Sequence, residues 1–169
     1  RDHEPRSVAS EADATGAEWA LQALALKLET APAADAIVER AGELSFTLVV
    51  RQPTGPEAVT DTDLAEWSTT REAALQRART NIDDHVAEGL HTEVFAGDAD
   101  APDALRLEPS DPLAASLLLS KGLAAKLAAR LGAEPRLWVT ADGALYATRT
   151  ATPPSGIQPA HGPITPATA

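Results

Sequence analysis

The stretch from Asp111 to Leu131 constrains the fold most, because its first half is apolar on almost every side. Asp111 is a favourable N-cap and Pro112 suits a first helical position, so the pattern predicts one helix over residues 111–131. Consecutive helical residues point about 100° apart, so the run Leu117, Leu118 and Leu119 can be buried only if it is surrounded. The sequence therefore predicts either a central helix inside a domain or a helix whose second apolar face meets a partner.

Alternating residues predict several strands. The clearest is residues 43–51, where Leu44, Phe46, Leu48 and Val50 alternate with more polar neighbours, as in a half-buried strand. Shorter strands are predicted over residues 91–96 and 105–108. Two more, over residues 136–140 and 144–150, flank Asp142-Gly143, a dipeptide that favours a type I′ hairpin turn.

Helical periodicity appears in three further places, over residues 17–30, 32–40 and 70–88. Thr69 and Glu72 have the spacing of a capping box before the last of these. Together with the strands, these patterns predict an α+β fold with three main helices packed on a small, mostly antiparallel sheet with a C-terminal hairpin.

Three regions are predicted along the chain. Residues 1–16 are polar and irregular and are expected to form a flexible N-terminal segment, and residues 17–150 are expected to form a single α+β domain. Residues 151–169 contain no charged residue and five prolines, so we expect a disordered tail with little apolar surface to bury.

Charge and composition exclude several function classes. The net charge of −11 repels phosphate backbones and anionic lipids, so neither nucleic acid nor a membrane is expected as a partner. The chain has no Cys, which excludes thiolate catalysis and Cys-ligated zinc. No apolar run is long enough to span a membrane, and the first ten residues do not resemble a signal peptide, so we predict a cytoplasmic location.

Metal ligation is weighed at two places. His85 and His91 lie near Asp83, Asp84 and Glu88, but without the spacing of a zinc-binding motif. The loop holding Asp98, Asp100 and Asp103 lacks the Gly and the bidentate Glu of a calcium loop. We therefore predict no metal site and interpret the loop as solvated, while His85 stays a weak candidate for binding.

Catalytic motifs are not found. Ser116 and Ser120 lie on the predicted helix, outside any nucleophile elbow, and no Gly-rich phosphate loop is present, so no catalytic residue and no cofactor are predicted. Asn81 lies beside the apolar face of its helix, where a structural hydrogen bond is favoured over a functional role. Trp67 is predicted as a core anchor at a helix junction. Both are kept as weak binding candidates.

A family resemblance covers roughly residues 44–149. It rests on the segment Asp63-Leu64-Ala65-Glu66-Trp67-Ser68 with Glu72, Ala73, Ala78 and Asn81, and on the run Ala115-Ser116-Leu117-Leu118-Leu119 followed by Gly132 and a hairpin. These segments resemble a bacterial family known as domain of unknown function 1444, which has no assigned reaction. The family carries an Arg-Asp pair after the first hairpin strand. The matching segment here is Thr140-Ala141-Asp142-Gly143, without the Arg, and Asp142 is the resulting candidate.

Two function classes follow. The first is a small, acidic, non-enzymatic interaction module that binds an unknown protein partner, with its oligomeric state undetermined. The second is a hydrolase or transferase of unknown chemistry that uses Asp, Glu or His. We favour the first because the sequence shows no nucleophile–base pair, metal spacing or phosphate loop. A concave site with convergent polar groups would favour the second.

Overall fold

The computed structural model describes residues 17–166, which divide into two compact units, the first ending at Asn81 and the second beginning at Ile82. Both contain helices and antiparallel strands, which confirms the α+β class. The prediction of one small sheet is wrong, because the strands form two sheets. A division into compact units does not decide whether they fold separately, so a single domain over residues 17–150 stays a prediction. The segment 1–16 lies outside the described residues.

The first unit is built around strand β3. Its sheet contains β1 (Leu24–Leu28), β2 (Val38–Ala41), β3 (Leu44–Val50) and the short β4 (Glu57–Ala58). The order is β1-β3-β2, and β4 also pairs with β3. All seven residues of β3 are buried, so the predicted strand is confirmed but is central rather than half-buried. The two polar residues among them are satisfied by side chains, since Arg40 donates to Ser45 Oγ at 2.8 Å and Thr47 donates to Glu29 at 3.4 Å.

Two predicted helices of this unit are largely replaced by strands. Within the described residues, helix α1 covers residues 17–22, and β1 follows where the helix was expected to continue. Residues 32–40 form turns and the start of β2 instead of a helix. The reason is that Leu24, Leu26 and Leu28 also alternate, so pairing with β3 can bury the same leucines that suggested a helix.

Two helices follow, α2 (Asp61–Glu66) and α3 (Arg71–Glu88). The capping box belongs to α2, where Thr60 and Asp63 bond each other's backbone N–H groups. Helix α3 matches the prediction, but Thr70 rather than Thr69 accepts the N–H of Ala73, at 3.1 Å. The helix begins one residue later than the sequence pattern suggested, so the predicted Thr69–Glu72 box does not form.

The second unit contains one antiparallel sheet of five strands. These are β5 (Thr92–Gly97), β6 (Pro102–Leu107), β7 (Arg136–Thr140), β8 (Leu145–Thr148) and β9 (Pro159–Ile164), in the order β5-β6-β8-β7-β9. One face is apolar, because Leu105, Ala147 and Leu137 are cross-strand neighbours. The opposite face carries a second set of cross-strand neighbours, Arg106, Tyr146 and Trp138. The candidate site includes residues of this face.

The predicted helix 111–131 is broken into two pieces. A 3-10 helix covers Ala114–Leu119, Ser120 is extended, and α4 covers Leu123–Leu131. Ser120 Oγ accepts the N–H of Gly122 at 3.2 Å, and Asp83 accepts the N–H of Lys121 at 3.0 Å. These side-chain acceptors replace helical bonds at the break. The expected burial is confirmed for Leu117 and Leu118, which are buried, but not for Leu119, which is half-buried.

The hairpin between β7 and β8 is present, but its turn is not type I′. Thr140 donates its N–H to Ala144 O, and Gly143 donates to Thr140 O, both at 3.0 Å. Only Gly143 has a positive φ, of 89°, whereas type I′ needs two such residues. The connection is therefore a three-residue loop, Ala141 to Gly143, with glycine at its left-handed position.

The segment predicted as a disordered tail also differs in part. Residues 159–164 form β9, which pairs with β7 through Leu137↔Ile164, Val139↔His161 and Thr140↔Pro159. An edge strand can be held by main-chain hydrogen bonds to its neighbour, so its own scarcity of apolar residues does not prevent order. Residues 167–169 lie outside the described part of the chain.

Candidate functional site

The candidate site of the second unit is the outer edge of β5. Among the strands of residues 17–166, β5 ends its sheet and has a neighbour, β6, on one side only. Edge strands present backbone N–H and C=O groups that another chain can pair with. The side chain of Phe95 is 40% exposed, and Glu93 is also exposed. An apolar ring and a carboxylate therefore lie together on an open sheet edge.

The hydrogen-bonding register shows which backbone groups point outward. Glu108 donates its N–H to His91 O at 2.7 Å, and in an antiparallel ladder such hydrogen-bonded pairs alternate with non-bonded ones. Glu93 lies two residues further along and is aligned with Arg106 in the register. Its backbone N–H and C=O groups therefore also point toward β6. Thr92 and Val94 fall in the non-bonded positions. Their backbone groups consequently face away from β6, toward the open edge.

A second pair of strands checks this assignment. Arg149 donates its N–H to Asp103 O at 3.3 Å, so Asp103 directs its backbone toward the β8 side. Because the direction of the backbone groups alternates along β6, the N–H and C=O of Arg106 point toward β5, in agreement with the His91–Glu108 bond. The outward direction of Thr92 and Val94 is supported from both sides of β6.

Phe95 belongs to an aromatic and cationic cluster on the face of the sheet that carries Arg106. Its ring meets Tyr146 edge-on, with centroids 5.1 Å apart and planes inclined by 71°. The guanidinium carbon of Arg106 lies 5.8 Å from the Tyr146 ring centroid, within cation–π range. The Nε of Arg106 is buried without a hydrogen-bond partner. The register of β5 against β6 shifts between Val94 and Ala96, where Phe95 lies, and again between Ala96 and Gly97.

Asp142 is exposed in the hairpin loop between β7 and β8. Its carboxylate accepts the Thr140 hydroxyl, and this bond is the main cause that lowers the pKa of Asp142 below its ordinary value. Burial opposes this effect, and backbone hydrogen bonds from Asp142 and Ala144 together with the positive charge of Arg106 lower the pKa further.

His85 and His91 meet at a carboxylate that the sequence did not single out. Glu108 Oε2 lies 2.8 Å from His85 Nε2 and accepts the N–H of His91 at 2.9 Å, while His91 Nδ1 is 3.5 Å from Oε1. The Glu108 side chain is only 9% exposed, whereas that of His85 is 42% exposed. A buried carboxylate that orients an exposed imidazole is a geometry that general bases use.

The acidic loop does not assemble a metal site. Asp98 and Asp100 are exposed, and Asp103 Oδ1 lies 3.6 Å from Arg149 Nη1, which makes an ion pair. Across residues 17–166, no group of three or more His, Asp or Glu side chains is arranged to hold a metal ion. His85, His91 and Glu108 are therefore better described as a hydrogen-bonded cluster.

The other two predicted residues, Asn81 and Trp67, lie in the first unit. Asn81 donates its amide to Leu21 O and Leu24 O, both at 3.0 Å, and so satisfies carbonyls where α1 ends and β1 begins. Trp67 is half-buried and follows the last residue of α2. The contacts of Asn81 are those of a structural hydrogen-bonding residue.

Sequence reasoning missed Glu93, Phe95 and Glu108. The alternation of Glu93, Val94 and Phe95 offered a signal, because it places a carboxylate and a ring on one face of a short strand. Glu108 offered none, since its partners are 17 and 23 residues away along the chain.

Comparison with known protein families, curated proteins and solved structures found no match for this chain. The resemblance to the family of unknown function therefore stays a prediction. Within residues 17–166 the structure has no helix capable of spanning a membrane. The site geometry is thus the principal basis for a functional proposal.

Proposed function

We propose that this chain is a non-enzymatic interaction module that binds a partner protein along the edge formed by β5. The observation that carries the proposal is the exposed ring of Phe95 on an edge strand whose Thr92 and Val94 backbone groups point outward. Exposed aromatic rings are enriched at protein interfaces, where they supply much of the binding energy. The negative net charge supports a protein partner over a nucleic acid, and the proposal suits the predicted cytoplasmic location.

A photo-crosslinking amino acid at position 95 tests this proposal in the source cell. We expect it to capture a defined protein, which is then purified and titrated against the wild-type chain and Phe95→Ser. Loss of a central aromatic anchor typically weakens binding by 2 kcal/mol or more, which corresponds to about thirtyfold in Kd.

Trp19→Ser is the matched control, because Trp19 on α1 is the other large exposed apolar residue within residues 17–166, with 53% exposure. The proposal requires this variant to bind the captured protein as the wild type does. Equal affinity of Phe95→Ser and the wild-type chain would contradict the proposed surface.

A second candidate is a hydrolase or transferase, and the 2.8 Å contact between His85 and Glu108 is the observation that favours it. The described contacts include no Ser or Thr hydroxyl bonded to either imidazole, so the pair could act only on water or on a substrate hydroxyl. An activity found with ester or phosphoester substrates should fall by about 100-fold or more in His85→Gln, the lower range for loss of a general base. An activity that survives this change would not belong to the pair.

A further inference from the structure

We infer that the β5 edge takes an extended, basic segment of its partner by antiparallel strand addition, with a Lys or Arg opposite Glu93. This inference rests on the proposed function and specifies the chemistry of the partner. It combines three observations, which are the outward backbone groups of Thr92 and Val94, the exposed carboxylate of Glu93 and the ring of Phe95.

The backbone supplies the attachment. Thr92 and Val94 each present an N–H and a C=O toward the open edge, so an added antiparallel strand can form hydrogen-bonded pairs with both. The five strands of this sheet are already antiparallel throughout, and a sixth strand of the same sense continues the ladder. This attachment requires an extended segment and does not depend on its side chains.

The side chains supply the selectivity. With Thr92 and Val94 in hydrogen-bonded pairs, the partner residue opposite Glu93 occupies a non-bonded pair, where cross-strand side chains approach most closely. Glu93 is exposed and its neighbour on β6 is Arg106, but no ion pair joins the two among the described contacts, so a cationic side chain opposite Glu93 faces an exposed carboxylate. In an antiparallel pair, the partner residue opposite Phe95 lies two residues before the one opposite Glu93, so its side chain contacts the Phe95 ring. The expected recognition pattern is an apolar residue, any residue, then Lys or Arg.

Charge also argues against a second copy of this chain as the occupant. Antiparallel pairing of two β5 strands around Glu93 brings the two exposed carboxylates together, and like charges directly opposite each other destabilise a sheet. A charged residue on an edge strand is a device that opposes such self-association. The same negative charges attract a basic segment, so the edge is selective for a heterologous partner.

The test uses two capped peptides, Ser-Thr-Leu-Val-Lys-Thr-Ser and the same peptide with Glu in place of Lys, titrated into the full chain by amide-resolved NMR. We expect the Lys peptide to shift the Thr92 and Val94 amide signals and to bind about tenfold tighter than the Glu peptide. Glu93→Lys should reverse this preference. Glu43→Lys, which changes an exposed carboxylate between β2 and β3, should leave it unchanged.

The outcomes separate this inference from the function on which it rests. Equal affinity of the two peptides overturns the charge selectivity, and binding without shifts at Thr92 and Val94 overturns strand addition. If neither peptide binds while Phe95→Ser still releases the crosslinked protein, the inference fails and the proposed function stands. If Phe95→Ser releases nothing, the proposed function fails as well.

Discussion

Glu108 shows how one residue can join three segments of the chain. Its φ is 45°, a left-handed conformation that is uncommon outside glycine. Its carbonyl accepts the N–H of Asp111 at 2.9 Å, while its carboxylate accepts the N–H of His91 at 2.9 Å. The side chain thus supplies an acceptor at the point where β5 begins, and its contact with His85 connects the same point to the end of α3.

Asp142 gives a prediction of acid sensitivity. Because the Thr140 hydroxyl lowers the pKa of Asp142 in the folded state, its stabilising contribution is fully present above the ordinary value of 3.8 and is lost as pH falls through the lower folded value. Wild type should therefore be more stable than Asp142→Asn at pH 6, and the difference should be smaller at pH 2. Urea unfolding at both pH values measures this. A difference that is the same at both pH values would show that the carboxylate charge is not the cause.

At the scale of elements, the region 111–131 shows that apolar content and helical continuity are separate properties. Leu117 and Leu118 are buried and Leu119 is half-buried, yet a serine acceptor and the carboxylate of Asp83 interrupt the helix between Leu119 and Leu123. A 3-10 helix tolerates only short runs, so the break limits this segment to Ala114–Leu119. The two pieces can then follow different directions while each buries its leucines.

Leu118 tests the interior role of the 3-10 helix. Leu118 is 7% exposed, so Leu118→Ala should lower the free energy of unfolding by about 2–5 kcal/mol, the usual range for a buried leucine. Lys126→Ala on α4 should cost less than about 0.5 kcal/mol, since Lys126 is exposed. Chemical denaturation compares the two. A Leu118→Ala chain as stable as wild type would mean that the segment is not part of the core.

Strand β9 is tested by a single glycine. A Cβ added at Gly162 would lie 2.6 Å from Trp138 Cε3 and 2.8 Å from Leu137 O, too close for either neighbour. Gly162→Ala should therefore displace β9 and cost about 1–3 kcal/mol through overpacking.

Gly156→Ala is the control for this change, because Gly156 also has a positive φ but has no atom within 4 Å of the added Cβ. Both variants carry backbone strain, so the difference between them reports the contact with Trp138. Thermal unfolding at matched concentration compares the two. Equal stability of the variants would show that β9 does not pack on β7 in solution.

At the scale of the whole molecule, the negative net charge and the absence of Cys limit which interactions can stabilise the fold. The net charge of −11 favours solvation and basic partners, and no disulfide can contribute to folding. Stability therefore depends on two sheets whose cores consist mainly of aliphatic side chains.

Metal ions should not change this stability. Addition of EDTA, zinc or calcium should leave the melting temperature within error of the untreated protein, because the described residues assemble no group able to hold a metal. A ligand that binds only the folded state stabilises it by about 2.7 kcal/mol at a hundredfold excess over its Kd. A clear shift with zinc would therefore revise the interpretation of His85, His91 and Glu108.

Local sequence determined the α+β class, helix α3, strand β3 and the hairpin strands β7 and β8, since their periodicity suits one structure and their neighbours in sequence supply the turns. Tertiary pairing decided β1, β2 and β9. Leu24, Leu26 and Leu28 satisfy a helix and a strand equally, and only β3, about 20 residues away, selects the strand. The candidate site was decided in the same way. Whether Phe95 is buried or exposed depends on β5 being last in its sheet, and strand order arises from contacts between distant segments that no local pattern encodes.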